Sequence, residues 1–226
     1  MRYFIDSADL SKVEYVLERF PCDGVTTNPA ILARETDDPA KALREIRDLI
    51  GDTRTLFAQV TASDYDGMIR EAEILKSNLG PAFSVKIPAT AEGLRAMTKL
   101  AKEGYSVTAT AIYSVQQVLL CAKAGADYVA PYVTHIDNLC VDSAEIVGNM
   151  AKLLAYHAPR TQVLAASFRV PEQVNRAILA GAGAVTIRPE MFDMLIESTG
   201  TDTEIEGFEK TWKEKFGKNG ISDFFK

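Results

Sequence analysis

Short runs of β-branched and apolar residues recur eight times along this chain, each separated from the next by a longer segment with helical periodicity. The runs are "YFIDS" at 3–7, "GVTTN" at 24–28, "TLFAQV" at 55–60, "FSVKIP" at 83–88, "SVTATAIY" at 106–113, "DYVAPYV" at 127–133, "QVLAASF" at 162–168 and "AVTIRP" at 184–189. Amphipathic segments such as "DYDGMIREAEILKSN" and "TAEGLRAMTKLAKEG" fill the gaps, and "AKEG", "AKAG" and "LAGAG" place glycine where a helix should stop before the next strand. Alternation of this kind implies a parallel sheet. Eight units in 226 residues predict an α/β fold of the closed (β/α)8 TIM-barrel type, with an additional C-terminal helix, rather than an open sheet. No G-x-G-x-x-G loop follows the first run, which weakens the open-sheet reading further. The chain reads as one barrel domain over 1–226, with 202–226 a helix and tail.

Composition narrows the function. The net charge of -6 opposes nucleic-acid binding, so an anionic substrate must meet a local cationic site. The start "MRYFIDSADL" lacks the apolar stretch of a secretion signal and no run is long enough to cross a membrane, so no membrane partner and a cytoplasmic location are expected. Cys22, Cys121 and Cys140 lack paired or metal-ligand spacing and read as free thiols.

Period-two alternation assigns the faces of each strand. Ile5, Val25, Leu56, Val60, Phe83, Val85, Ile87, Val129, Val133, Leu164, Phe168, Val185 and Ile187 are expected to face the helices. The opposite parity ends in Asp6, Asn28, Gln59, Lys86, Thr110, Tyr132, Ser167 and Arg188, at or near the C-terminal strand ends where barrel enzymes keep their active sites. Eight polar side chains converging on one rim are a poor way to stabilise a core, since each needs a partner. A lysine in the otherwise apolar run "FSVKIPAT" is the most informative of them. Burial lowers an amine's pKa and makes it a nucleophile toward carbonyls; a Schiff base formed on it acts as an electron sink for making or breaking carbon–carbon bonds. Snorkelling of the amine to solvent is an equally open reading of the pattern alone. Tyr132 offers a hydroxyl for proton transfer, Gln59 and Thr110 can position a water, and Asp6 and Asn28 can hold hydroxyls or the amine. Against these stand ordinary roles: a core tyrosine, an Asp6–Lys86 pair, and Asn28 capping the turn before Pro29. Only His135 and His157 exist, too few histidines for an obvious metal site, and no G-x-S-x-G elbow supports a hydrolase. No metal and no cofactor are called for.

"GVTTNPAIL", "LFAQV", "VKIPATAEGL", "ATAIYSVQQ", "AGADYVAPYV" and "VLAASFR" together resemble the small transaldolase family, in its fructose-6-phosphate aldolase branch. The resemblance implies that Lys86 forms the Schiff base, that Asp6 and Asn28 contact substrate and amine, and that Gln59, Thr110 and Tyr132 serve the catalytic water and proton transfer. It implies that Ser167 meets the phosphate end of the substrate; Thr26, in the motif of Asn28, is read as a further substrate contact. Glutamine and tyrosine at positions 59 and 132 resemble the aldolase branch, where transaldolases usually carry glutamate and phenylalanine. The implied activity is a class I cleavage of a ketose, fructose 6-phosphate, to dihydroxyacetone and glyceraldehyde 3-phosphate. The alternatives are transaldolase transfer, or the same chemistry on another headgroup such as a sulfonate. One departure stands out: "VTHID" puts His135 where the family has an arginine that grips phosphate, and Arg169 or Arg188 are the expected substitutes. For Arg169 a surface salt bridge is an equal expectation. Ile205, Phe208, Trp212 and Phe216 share one face of the C-terminal helix, and the resemblance implies that this helix reaches a neighbouring subunit in a pentamer or decamer.

Overall fold

In the computed structural model, which describes residues 1–225, eight parallel strands close into a barrel in chain order. They are β1 (Arg2–Asp6), β2 (Gly24–Thr26), β3 (Thr55–Gln59), β4 (Phe83–Pro88), β5 (Ser106–Ile112), β6 (Tyr128–Pro131), β7 (Gln162–Ala165) and β8 (Ala184–Ile187). Each coincides with one of the eight runs. Between and after them lie α1 (Leu10–Arg19), α2 (Pro29–Glu35), α3 (Pro39–Ile50), α4 (Tyr65–Leu79), α5 (Ala91–Lys102), α6 (Val115–Lys123), α7 (Val133–Asp137), α8 (Ser143–His157), α9 (Pro171–Leu179) and α10 (Pro189–Ile196). The chain divides into two compact units, Met1–Phe192 and a second from Asp193 onward. None of the described helices is long and apolar enough to cross a membrane.

Local chemistry sets the helix limits. Asp9, Asn28, Asp38, Asp64, Thr90 and Asp142 accept backbone N–H groups at the starts of α1, α2, α3, α4, α5 and α8, each such cap contributing about 1 kcal/mol. The expected glycine stops are present after α5, α6 and α9. Gly125 has φ +97°, and a Cβ there would strike the Cβ of Ala101, so only glycine fits.

The barrel floor is aromatic. Phe4, Phe57 and Tyr128 meet edge to face at ring separations of 4.9, 5.6 and 6.3 Å, with Leu164 and Ala184 completing the buried cluster. Arg2 caps it with a hydrogen bond to the Tyr128 hydroxyl. Above the floor the interior turns polar, and the buried hydroxyls of Ser84 and Thr108 satisfy each other at 2.9 Å.

Two outward assignments are corrected here. Leu164 belongs to the interior cluster and Phe168 lines the cavity at the barrel mouth. Strict alternation fails because β7 ends at Ala165 and Ser167 adopts φ +65°, a left-handed turn that re-aims the chain and brings Ser167 and Phe168 to the same opening.

In the second unit, α11 (Thr199–Phe216) has no buried residue. Trp212, Phe216 and Phe224 form a ring cluster with separations of 4.7, 5.2 and 6.0 Å, and Trp212 Nε1 donates to the Asn219 carbonyl at 2.7 Å. The tail, with a short 3-10 turn at Ile221–Phe224, therefore folds back on the helix. Phe208 and Phe225 remain 68% and 80% exposed.

Candidate active site

A cavity of about 500 Å³ opens at the C-terminal ends of the strands. Asp6, Asn28, Gln59, Lys86, Tyr132, His135, Ser167, Arg169 and Arg188 all line it. Of the residues singled out in the sequence, Thr26 and Thr110 do not; both are fully buried beneath it.

Interior parity on β4 carries Lys86 into the barrel, where it is only 5% exposed. Its Nζ donates to the Thr27 carbonyl at 2.9 Å, across from β4 to the end of β2. Burial holds the amine below its ordinary pKa, with the charge of Asp6 pulling the other way. Snorkelling is thus not its fate. Nor is a simple ion pair: among the described residues Lys86 and Asp6 form no salt bridge. Asp6 is itself raised above the usual carboxylate range, by burial first, against the opposing pull of Lys86 and a hydrogen bond from Thr26.

Thr26 donates to Asp6 Oδ1 at 2.6 Å and lies 2.5 Å from the Thr186 hydroxyl. A hydroxyl has one proton to give, so Thr186 is the donor to Thr26, and the chain of bonds aims Thr26 at the carboxylate. Asn28 caps α2 through Oδ1, accepting from Ile31 N at 2.9 Å, and keeps its amide N–H groups for the cavity.

On the opposite side, the Tyr132 hydroxyl lies 3.0 Å from that of Thr110, and burial raises the phenol's pKa. Gln59 Oε1 is buried without a hydrogen-bond partner among the described residues, although its side chain lines the cavity. An orphaned acceptor of this kind favours a water or substrate hydroxyl, since leaving it unmade costs about 1–3 kcal/mol.

Helix α7 was not legible in "VTHID". It lifts His135 to the rim, where Nδ1 lies 3.0 Å from Ser167 Oγ and the ring packs against Tyr132 at 5.5 Å. Gln173 fixes this corner by accepting from Thr134 Oγ1 and Arg169 N and donating to Asp137 at 2.7 Å. Arg169 and Arg188 are exposed and, among the described residues, neither forms a salt bridge, so the surface-pair reading of Arg169 is not what the structure holds. Sequence reasoning missed Arg34, which also lines the cavity. Its signal was the spacing of Asn28, Ile31 and Arg34, three residues apart on one face of a helix. Among the described residues no His, Cys, Asp or Glu group of three could hold a metal ion.

A buried amine, a half-buried carboxylate, a phenol and a rim of arginines around one cavity suit carbonyl chemistry on an anionic, hydroxylated substrate. Residues 3–223 match the family model described as transaldolase/fructose-6-phosphate aldolase. The match spans nearly the whole chain, and the protein belongs to this family of transaldolase- and aldolase-type enzymes.

Proposed function

We propose that this protein is a class I aldolase that reversibly cleaves a ketose phosphate, fructose 6-phosphate, to dihydroxyacetone and glyceraldehyde 3-phosphate. The observation that carries the reading is Lys86: a lysine buried inside the barrel, with its pKa lowered by that burial, facing a cavity that also receives Tyr132, Gln59 and Asp6.

In this reading the neutral amine attacks the C2 carbonyl, and the carbinolamine loses water to give an iminium. A base takes the proton from the C4 hydroxyl, the C3–C4 bond breaks, and its electron pair moves into the iminium to leave an enamine. The aldehyde departs; protonation at C3 and addition of water then free dihydroxyacetone and restore Lys86. Tyr132, joined to Thr110 and kept protonated by burial, is the proton carrier, and Gln59 orients the water. Thr26 acts by aiming Asp6 rather than by touching substrate. Ser167, His135, Arg169 and Arg188 receive the phosphate.

Transaldolase transfer uses the same Schiff base and differs in the acceptor of the enamine. Gln59 and Tyr132 favour free release through the likeness to the aldolase branch. The test is borohydride reduction in the presence of dihydroxyacetone with mass analysis of Lys86, together with release of dihydroxyacetone from fructose 6-phosphate without acceptor. No adduct on Lys86 refutes the chemistry; an adduct with strict acceptor dependence assigns transfer instead.

We further propose that the C-terminal unit packs on a neighbouring subunit in a ring-type homo-oligomer. Its exposed Ile205, Phe208, Ile221 and Phe225 supply the apolar surface for this.

A further inference from the structure

Arg34 sits in the last turn of α2, one helical face from Asn28, with its side chain 58% exposed and lining the cavity. Its Nη2 lies 2.6 Å from Glu35 Oε1. The neighbouring carboxylate is anything but loose. Glu35 has a side chain 17% exposed, and its Oε2 accepts from Ser7 Oγ and Ala8 N, both at 2.8 Å. Glu35 thus staples the end of α2 to the turn that follows Asp6. Burial alone would raise its pKa, yet the bonds from Ala8, Arg34 and Ser7 hold it below the ordinary value, so the carboxylate stays charged.

The staple explains Glu35 but leaves Arg34 unaccounted for. Ser7 and Ala8 complete the tie between the two segments without the guanidinium, and an exposed pair between adjacent residues stabilises little. What the pair does is fix a direction. One nitrogen of Arg34 is held by a half-buried carboxylate that Ser7 and Ala8 anchor from the other side, and among the described residues no protein partner takes its remaining donors. In barrel order β1 lies between β2 and β8, so Arg34 and Arg188 flank Asp6 from its two sides. Gln59, Lys86 and Thr110, by contrast, come from β3, β4 and β5 across the mouth. A substrate joined to Lys86 therefore extends toward an arginine-bearing arc.

We infer that Arg34, braced by Glu35, is a specificity-determining residue that contacts the terminal phosphate monoester of the substrate. The inference rests on the ketose-phosphate reading above, and it makes Glu35 a positioning residue that acts only through Arg34. Its test uses two readouts on the full-length protein: calorimetric titration with inorganic phosphate, and kcat/KM for fructose 6-phosphate relative to unphosphorylated fructose. Arg34→Ala should weaken phosphate uptake and lower that ratio, each by tenfold or more, with partial recovery in Arg34→Lys, which keeps charge but not the planar fork. Glu35→Gln keeps an acceptor for Ala8 and Ser7 while turning an amide donor toward Arg34. It should raise KM for fructose 6-phosphate with kcat unchanged, and the effect should vanish in the Arg34→Ala background. Lys41→Ala, which removes one charge from the exposed side of α3, should move neither readout. A wild-type protein that takes up no phosphate, or an Arg34→Ala variant that matches it in phosphate uptake, overturns the inference. Failure of the aldolase reading shows separately, as absence of a borohydride-trapped dihydroxyacetone adduct on Lys86, and leaves the phosphate titration to decide Arg34.

Discussion

The hydroxyl of Tyr132 lies 3.0 Å from that of Thr110, and burial raises the phenol's pKa, so this tyrosine stays protonated at neutral pH. Tyr132→Phe should therefore cost about 10²-fold in kcat for cleavage, the lower end of what a positioned acid or base contributes. It should leave trapping of dihydroxyacetone on Lys86 intact. Adding Gln59→Glu should shift the residual activity toward transfer, measured as acceptor-dependent consumption of fructose 6-phosphate.

Lys86→Met should abolish turnover and borohydride trapping while the far-ultraviolet dichroism stays that of the barrel. Incubation with EDTA should leave wild-type activity unchanged. Full activity in the methionine variant, or loss to the chelator, would refute the amine mechanism.

The sign of the pH dependence follows from the lowered pKa of Lys86. The amine is the reactive form, so kcat/KM should rise with pH through an apparent pKa below the ordinary lysine value of about 10.4 and fall as protonation proceeds on the acid side. The same shift means that the folded state binds fewer protons at Lys86 than the unfolded chain does. Its contribution to stability accordingly grows with pH between the folded and unfolded pKa values, and Lys86→Met should flatten that limb in thermal melts.

Phosphate recognition should respond to the rim. Arg188→Ala should lose about 1.5–3 kcal/mol of transition-state stabilisation with glyceraldehyde 3-phosphate and little with glyceraldehyde, as expected for a hydrogen bond to a charged group. His135→Arg, which supplies a fork beside Ser167, should raise kcat/KM for the phosphorylated aldehyde. Equal efficiency toward both aldehydes in wild type would remove the phosphate assignment.

Light scattering of the full-length protein should report a ring-sized oligomer. Phe208→Glu, at a residue 68% exposed in the C-terminal unit, should shift it to smaller species. A monomeric wild type would overturn the assembly.

Much of this was legible in the sequence because parallel strands buried on both faces advertise themselves as repeated β-branched runs. Lys86 was conspicuous because charge in such a run needs a reason. What alternation could not convey is where it breaks. Ser167 leaves the extended region at φ +65° and so reaches the mouth from the opposite parity; a phase read back from it puts Leu164 and Phe168 on the wrong face. Thr26 shared the interior parity of Asp6, yet its depth depends on hydrogen bonds to Asp6 and Thr186 that no single run encodes. Arg34 escaped notice because a lone arginine on an amphipathic helix looks like every solvated one; its meaning comes from Glu35 and the turn after Asp6.

The aromatic floor has a kinetic corollary. Phe4, Phe57 and Tyr128, closed off by Arg2, plug the barrel from below, so the chamber opens at the C-terminal ends of the strands. On the proposed reading, the fragment bonded to Lys86 occupies the inner berth and the aldehyde the outer one. Traffic is then last in, first out: the aldehyde must leave before water can reach the enamine-derived iminium, and a lingering aldehyde returns the enzyme to ketose. On that reading, how the bound enamine divides between return to ketose and release of dihydroxyacetone is set at the doorway, by how firmly the arginines hold the outer product, rather than at the amine that breaks the bond.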